Sequence, residues 1–290
     1  MFLHLLPFLI YVCIFSYVPL YGWIYSVFEY KPGMQLKDMA FVGMKYFSLI
    51  YDGSTNFLMV FRNTLVLSGL GLMCSVIPVI FAILLSQLRS GRFSKIIQTV
   101  TSLPNFISWV LVYAIFFSMF SVSDGVINQL LVSLGILKAP VNLLGDADKA
   151  WYVQTFIAMW KTTGWSAIIY LAAIAGIDQE LYDAAAADGA NRFQRIIHIT
   201  VPGILPTYFV LLLLAIANIL SNGFEQYWVF QNALTRDKLE VFDTYVYRLG
   251  MVNMQFSFST AMGMFKTIVS IILLTAANFA SKLLRGQGIF

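Results

Sequence analysis

The sequence predicts an all-α integral membrane protein: six transmembrane helices in one domain, residues 1–290, with one helical loop at the cytoplasmic surface. Three observations carry this. Hydrophobic residues make up 59% of the chain and charged residues only 11%, where a soluble globular chain has roughly 45–50% and about 25%. Apolar runs of the length needed to cross about 30 Å of hydrocarbon, some 20 residues, recur along the chain. The connections between these runs alternate between short basic segments and longer ones of mixed charge.

The first run, about 5–28, contains Pro7, Pro19 and Gly22. Such breakers are tolerated in lipid because neighbouring groups re-satisfy the freed backbone. It is too long for a signal-peptide core and has no small-x-small cleavage site, so it reads as a span. The others are about 57–88, 100–120, 151–175, 203–220 and 258–284. Segments 89–98, with Arg89, Arg92 and Lys95, and 281–290, with Lys282 and Arg285, are short and basic without an acid. Segments 29–56, 121–150 and 221–257 carry both signs. The positive-inside rule then places the basic segments, both termini and segment 176–202 on the cytoplasmic side.

Segment 176–202 is no span, because Asp178, Glu180, Asp183, Asp188, Arg192 and Arg195 would each cost a few kcal/mol at mid-bilayer. It reads as two short helices. Asp178 can cap the first, with Glu180 and Asp183 near its positive end. Ala184 to Ala187 supply helix propensity with little bulk. Gly189 ends or bends that helix. Phe193, Ile196, Ile197 and Thr200 then recur at helical spacing until Pro202 is expected to stop the run. A small-faced helix pair of this kind suits either docking into a groove of a soluble partner or lying on lipid as an interfacial helix.

The same stretch resembles the signature loop of permease subunits in bacterial binding-protein-dependent ABC importers. That loop reads Glu-Ala-Ala, three residues, Gly, nine residues, Ile-x-Leu-Pro. Here Asp183-Ala184-Ala185 precedes Gly189, and Ile199-Thr200-Val201-Pro202 closes the motif at the same spacings, Asp183 standing for Glu and Val201 for Leu. The segments "FVGMKYF" (41–47), "RNT" (62–64), "QTVTSLPNFISWV" (98–110), "DGVINQLL" (124–131), "IIYLAAIAGID" (168–178) and "GFEQYW" (223–228) are similar to the carbohydrate branch, above all to aldouronate-type permeases for complex or acidic oligosaccharides. Family members usually begin with a basic leader, whereas this chain opens at "MFLHLLPF", so a short or trimmed N-terminus is expected.

The resemblance implies the type I ABC importer permease fold in a bacterial cytoplasmic (inner) membrane. It implies four kinds of partner besides lipid: a second homologous permease subunit, two cytoplasmic ATPase subunits that hold ATP and Mg, an extracellular substrate-binding lipoprotein, and the sugar. On this reading Asp183, Ala184, Ala185, Asp188, Gly189, Arg192, Ile199 and Pro202 couple the chain to the ATPase.

Polar residues within spans are functional candidates because burying them is costly. Asn218, Asn222 and Glu225 fall at i, i+4 and i+7, followed by Gln226 and Tyr227. Such a face offers partners for sugar hydroxyls and a ring to stack on, or else interhelical hydrogen bonds. Asn105 and Trp109, at i and i+4, carry the same two readings. Lys161 and Lys266 could pair with Glu225, face an acidic sugar, or snorkel to an interface. Arg62 and Asn63 suggest capping or headgroup contact. Trp151, Trp160, Trp165 and Trp228 suggest an interface belt, His198 a structural role, and Cys13 and Cys74 small buried hydrophobes.

Catalytic signatures are missing. No phosphate loop surrounds Lys161-Thr162 or Lys266-Thr267, and two histidines, His4 and His198, build no metal cluster. No catalytic residue, metal or resident cofactor is therefore expected, and ATP hydrolysis falls to another chain. The net charge of +4 is scattered, which gives nucleic acid no footing. The rival reading, an ion-coupled secondary transporter, calls for intramembrane carboxylates or unwound half-helices, and no acid lies squarely mid-span.

Overall fold

A computed structural model describes residues 2–53 and 55–285. Among them the architecture is helical throughout, with one isolated antiparallel bridge, Phe28 to Phe41. Helix α1 (Phe2–Val12) runs on through a π-turn at Cys13–Tyr17 and 3-10 turns at Val18–Val27. Many of its apolar side chains, Phe8 and Phe15 among them, stay exposed, as a lipid-facing helix requires. Short α2 (Lys45–Tyr51) leads to α3 (Phe57–Cys74) and α4 (Val76–Ser86), one apolar stretch over Phe57–Ser86. Then follow α5 (Gly91–Ser102), α6 (Trp109–Phe120), α7 (Val126–Ser133) and α8 (Ala150–Ala175). The remainder comprises α9 (Gln179–Ala187), α10 (Arg192–Arg195), α11 (Val201–Ala217), α12 (Glu225–Phe230), α13 (Arg236–Leu239), α14 (Phe242–Tyr247) and α15 (Phe256–Arg285).

Four helices among the described residues are long and apolar enough to cross a membrane, and a fifth if a bent pair counts as one span. The bent pair corrects the expected third span. Residues 100–120 are not one helix: Gly91–Phe106 and Trp109–Phe120 meet at 103°. Pro104 offers no N–H, Ile107 is extended, and the Ser108 hydroxyl accepts the Leu111 N–H at 3.4 Å to start α6 afresh. The expected fourth span is α8, whose 26 residues reach about 39 Å. It falls outside the apolar set. Its buried face carries Gln154, Lys161 and Gly164, and it packs on α3, α4, α5 and α11.

Gly164 sets the approach of α8 to the bend. A Cβ there would stand 2.2 Å from the Thr101 carbonyl oxygen, a backbone atom with nowhere to yield. Gly164→Ala should therefore destabilise the bundle by about 1–3 kcal/mol, the usual cost of overpacking, read as a lowered unfolding midpoint in detergent. An unchanged midpoint would show that the contact can relax freely.

One apolar cluster joins Ile50, Phe57, Val60, Phe242, Tyr245, Leu249, Phe258 and Met262; another joins Val112, Phe116, Ile157 and Phe230. The first ties α14 and α15 to α3, and the second seats α12 between α6 and α8.

Candidate functional site

Two features stand out: an exposed helical loop and a cleft among the helices whose mostly apolar lining carries hydroxyl and amide groups. The loop begins where Asp178 caps α9, its carboxylate accepting the Glu180 N–H at 3.0 Å. Four alanines in succession carry the helix to Asp188. Gly189 then turns into the left-handed region with φ of +80°. The Gly189 N–H donates to the Ala186 carbonyl at 3.1 Å and the Ala190 N–H to the Ala185 carbonyl at 2.9 Å. This pair of bonds is the Schellman closure, which uses the glycine for its freedom at positive φ. Asn191 and Gln194 immediately form a capping box, 2.9 and 2.8 Å, to start α10. Two helix ends are thus closed back to back within five residues, so the elbow has a defined angle.

Pro202 corrects an expectation. It does not stop the run: α10 continues through a π-turn at Ile196–Thr200 into α11, giving one apolar helix over Arg192–Ala217. The wider turn absorbs the missing Pro202 N–H, with the Val201 N–H donating to the Ile196 carbonyl. The two arms of the elbow are bolted together near their roots. The Tyr182 and Thr200 hydroxyls lie 2.9 Å apart, and Gly203 lets the Ile177 side chain press onto α11. Outward the loop presents Asp183, Ala184, Asp188 and Arg192, with Leu181 and Phe193 bare; Phe193 is 69% exposed. Ala185 and Ile199 are half-buried. The His198 ring stays local, its Nδ1 2.9 Å from the Gln194 carbonyl.

The cleft holds about 580 Å³. Its walls come from α3, α4, α8, α11 and the 221–227 segment, and its polar groups include Ser68, Ser75, Thr155, Thr162, Ser166 and Tyr208. No acidic or basic side chain is among the lining residues. Of the predicted site residues, Trp109, Asn222, Gln226 and Tyr227 line it. The Asn222 amide donates to the Ser68 hydroxyl at 2.9 Å, while its carbonyl oxygen is buried without a partner among the described residues. The Gln226 amide donates to the backbone and side-chain oxygens of Gln154, both at 3.0 Å.

The other predicted residues fall elsewhere. Asn218, Asn222 and Glu225 share no helix face, because α11 ends at Ala217 and Gly223, at φ +89°, turns the chain before α12. Asn218 is exposed and donates to its own helix, at the Leu214 carbonyl, 2.9 Å away. Glu225 is exposed in the first turn of α12. Asn105 and Trp109 stand on opposite sides of the 103° bend, so only Trp109 reaches the cleft.

Charged residues inside the fold are committed to neighbours that the sequence did not specify. Lys161 does not snorkel and pairs with no carboxylate among the described residues: its ammonium donates to the carbonyls of Pro104, Asn105 and Ile107 at 3.0, 2.8 and 2.7 Å. Lys266 pairs with Asp243 rather than Glu225, and the other Asp243 oxygen accepts the Gly223 N–H at 3.1 Å. Buried Glu240 holds Arg248 by two bonds, 2.6 and 2.7 Å. Asn63, expected near headgroups, is fully buried and donates to the Asp237 and Glu240 carbonyls at 2.9 and 3.1 Å. The signal available in the sequence was slight: polar or charged residues next to apolar runs, with partners 8 to 177 residues away.

Known proteins agree with this geometry. A structure of a bacterial ABC transporter involved in the import of the acidic polysaccharide alginate matches at a TM-score of 0.88 with 32% identity, over 98% of this chain and 95% of that one. A second, of the same kind of transporter in complex with an alginate pentasaccharide-bound periplasmic protein, matches at 0.88 over 99% of this chain and 95% of that one. In Bacillus subtilis (strain 168), Protein LplB is 40% identical, spanning all of this chain and 91% of the relative. The polygalacturonan/rhamnogalacturonan transport system permease protein YteP of the same organism is also 40% identical, over all of this chain and 90% of the relative. Residues 75–286 match the family described as binding-protein-dependent transport system inner membrane component. The chain is therefore a membrane-embedded ABC importer permease of the binding-protein-dependent inner membrane component family.

Proposed function

We propose that this permease forms half of the pathway by which an acidic oligosaccharide crosses the bacterial cytoplasmic membrane, and that residues 178–202 are where an ATPase subunit drives it. The carrying observation is mechanical. The second arm of the exposed elbow and one wall of the cleft are the same helix, Arg192–Ala217, through Tyr208, Leu211, Leu212 and Ala215. A displacement of the loop moves the cleft wall directly. The bare Leu181 and Phe193 give a groove on the ATPase apolar purchase, with Asp183, Asp188 and Arg192 supplying charge at its rim. ATP can drive the change only if the ATPase grips the loop differently in its open and closed forms.

The same reading puts both termini and the loop in the cytoplasm, ATP and Mg on the ATPase pair, a second, homologous permease across the pathway, and a sugar-loaded binding protein on the far side. The hydroxyl and amide lining of the cleft, with Trp109 and Tyr227, suits a sugar. The relatives' acidic polysaccharides support the charged class.

The test is uptake into proteoliposomes holding the two permeases and the ATPase pair. A uronic-acid oligosaccharide should enter only with binding protein outside and ATP inside. Uptake driven by an ion gradient without ATP would overturn the reading in favour of a secondary transporter.

A further inference from the structure

Lys161 is 6% exposed, in the middle of α8, inside a bundle built to sit in lipid. Its side-chain nitrogen donates to three carbonyls, those of Pro104, Asn105 and Ile107, within 3.0 Å. A neutral amine has two protons to give and an ammonium three, so this geometry is that of the cation. The carbonyls are available because α5 ends at the bend, leaving the negative end of a helix open. The cation also lies 5.3 Å from the Trp109 ring centroid. Carbonyl dipoles solvate a charge without cancelling it, so at a distance the site still acts as one positive charge.

Lys161 does not itself line the cleft; it stands behind Trp109, which does. Trp109 lines the cleft, as do Ala158 and Thr162 on either side of Lys161 along α8. No charged side chain among the lining residues offsets it. Asp243 is engaged by Lys266. Glu225 is exposed, next to the cleft-lining Gln226.

Building on the oligosaccharide-importer reading, we propose that Lys161 is a specificity-determining residue: acting through space from behind Trp109, it makes the cleft favour an anionic sugar over a neutral one of the same shape. At a separation on the order of 10 Å and an effective dielectric of about 20, one unit charge biases a carboxylate on the order of tenfold.

The test compares a uronic-acid oligosaccharide with its carboxyl-reduced counterpart. Each is delivered by saturating loaded binding protein to the full transporter in proteoliposomes, and the readout is the acid-to-neutral ratio of uptake rates. Lys161→Gln keeps N–H donors for the bend but removes the charge, so the ratio should fall about tenfold with neutral uptake nearly kept. Lys161→Arg should hold the ratio. Glu225→Gln, which removes the opposing carboxylate, should raise it, and that variant decides the matter if Lys161→Gln does not assemble. A proportional loss of both sugars in Lys161→Gln, or an unmoved ratio in Glu225→Gln, would reduce Lys161 to a cap for the bend while leaving the importer reading intact. Wild-type transporter that admits neither sugar would overturn the acidic-oligosaccharide reading itself, and this inference with it.

Discussion

Gly189→Pro will abolish the stimulation of ATP hydrolysis by sugar-loaded binding protein in the assembled transporter, while the chain still inserts and the bundle still folds. Proline is locked near φ of −65°, and Gly189 sits at +80°. Its N–H, which closes α9 on the Ala186 carbonyl, disappears with the substitution. Asp188 is also pushed out of its present conformation, because a residue before proline avoids the helical region. Both bonds that close α9 are affected, since the Ala190 N–H reaches the Ala185 carbonyl only through the turn at Gly189. The bundle is spared, since a Cβ at position 189 would meet nothing within 4 Å. Gly189→Asn is the control. Asparagine visits positive φ at a cost of about 1 kcal/mol, roughly fivefold in an equilibrium, so stimulation should weaken without vanishing. Equal stimulation in wild type and Gly189→Pro would mean that the elbow angle does not transmit the stroke.

The contrast between what could be read from sequence and what could not follows from the range of the forces involved. Apolar runs and the elbow at Asp183–Gly189 are local patterns, and the helices follow them closely. Pro202 misled because proline breaks an α-helix in water, whereas here a π-turn at Ile196–Thr200 takes up the missing donor and the helix continues. The bend at 103–108 had visible punctuation, Pro104 followed by a capping Ser108, hidden within a strongly apolar window. The face drawn through Asn218, Asn222 and Glu225 assumed one unbroken helix, and the Ser221-Asn222-Gly223 turn signal argues against it. Asn222, Gln226 and Tyr227 still reach the cleft, because the segment folds back against α3 and α8. Lys161 was the hardest to place. Its partners are backbone carbonyls made available by a helix break, and no side-chain pattern records a carbonyl.

Glu240→Ala is the substitution expected to cost the most stability. Glu240 is 1% exposed and accepts from Arg248 Nε and Nη2 at 2.6 and 2.7 Å, with Arg236 at 3.7 Å. Removing the carboxylate strands a largely buried guanidinium, which costs about 3–5 kcal/mol, toward the lower end here because Arg248 keeps some contact with solvent. The damage spreads because the surrounding segment is pinned by polar bonds: Asn63 to the Asp237 and Glu240 carbonyls, the Phe242 N–H to the Thr64 hydroxyl at 2.9 Å, and the Trp151 indole to the Lys238 carbonyl at 2.7 Å. Asp243, which receives Gly223 beside the cleft, lies three residues on. Uptake should therefore fall together with the unfolding midpoint measured in detergent. The double substitution Glu240→Met with Arg248→Met separates pairing from packing. Replacing both charges by apolar groups of similar volume is often neutral or better, so the double variant should recover most of the midpoint lost by the single one. A double variant no more stable than Glu240→Ala would mean that the ion pair does more than neutralise itself, and that its two fixed bonds are what hold the 236–248 segment against α3.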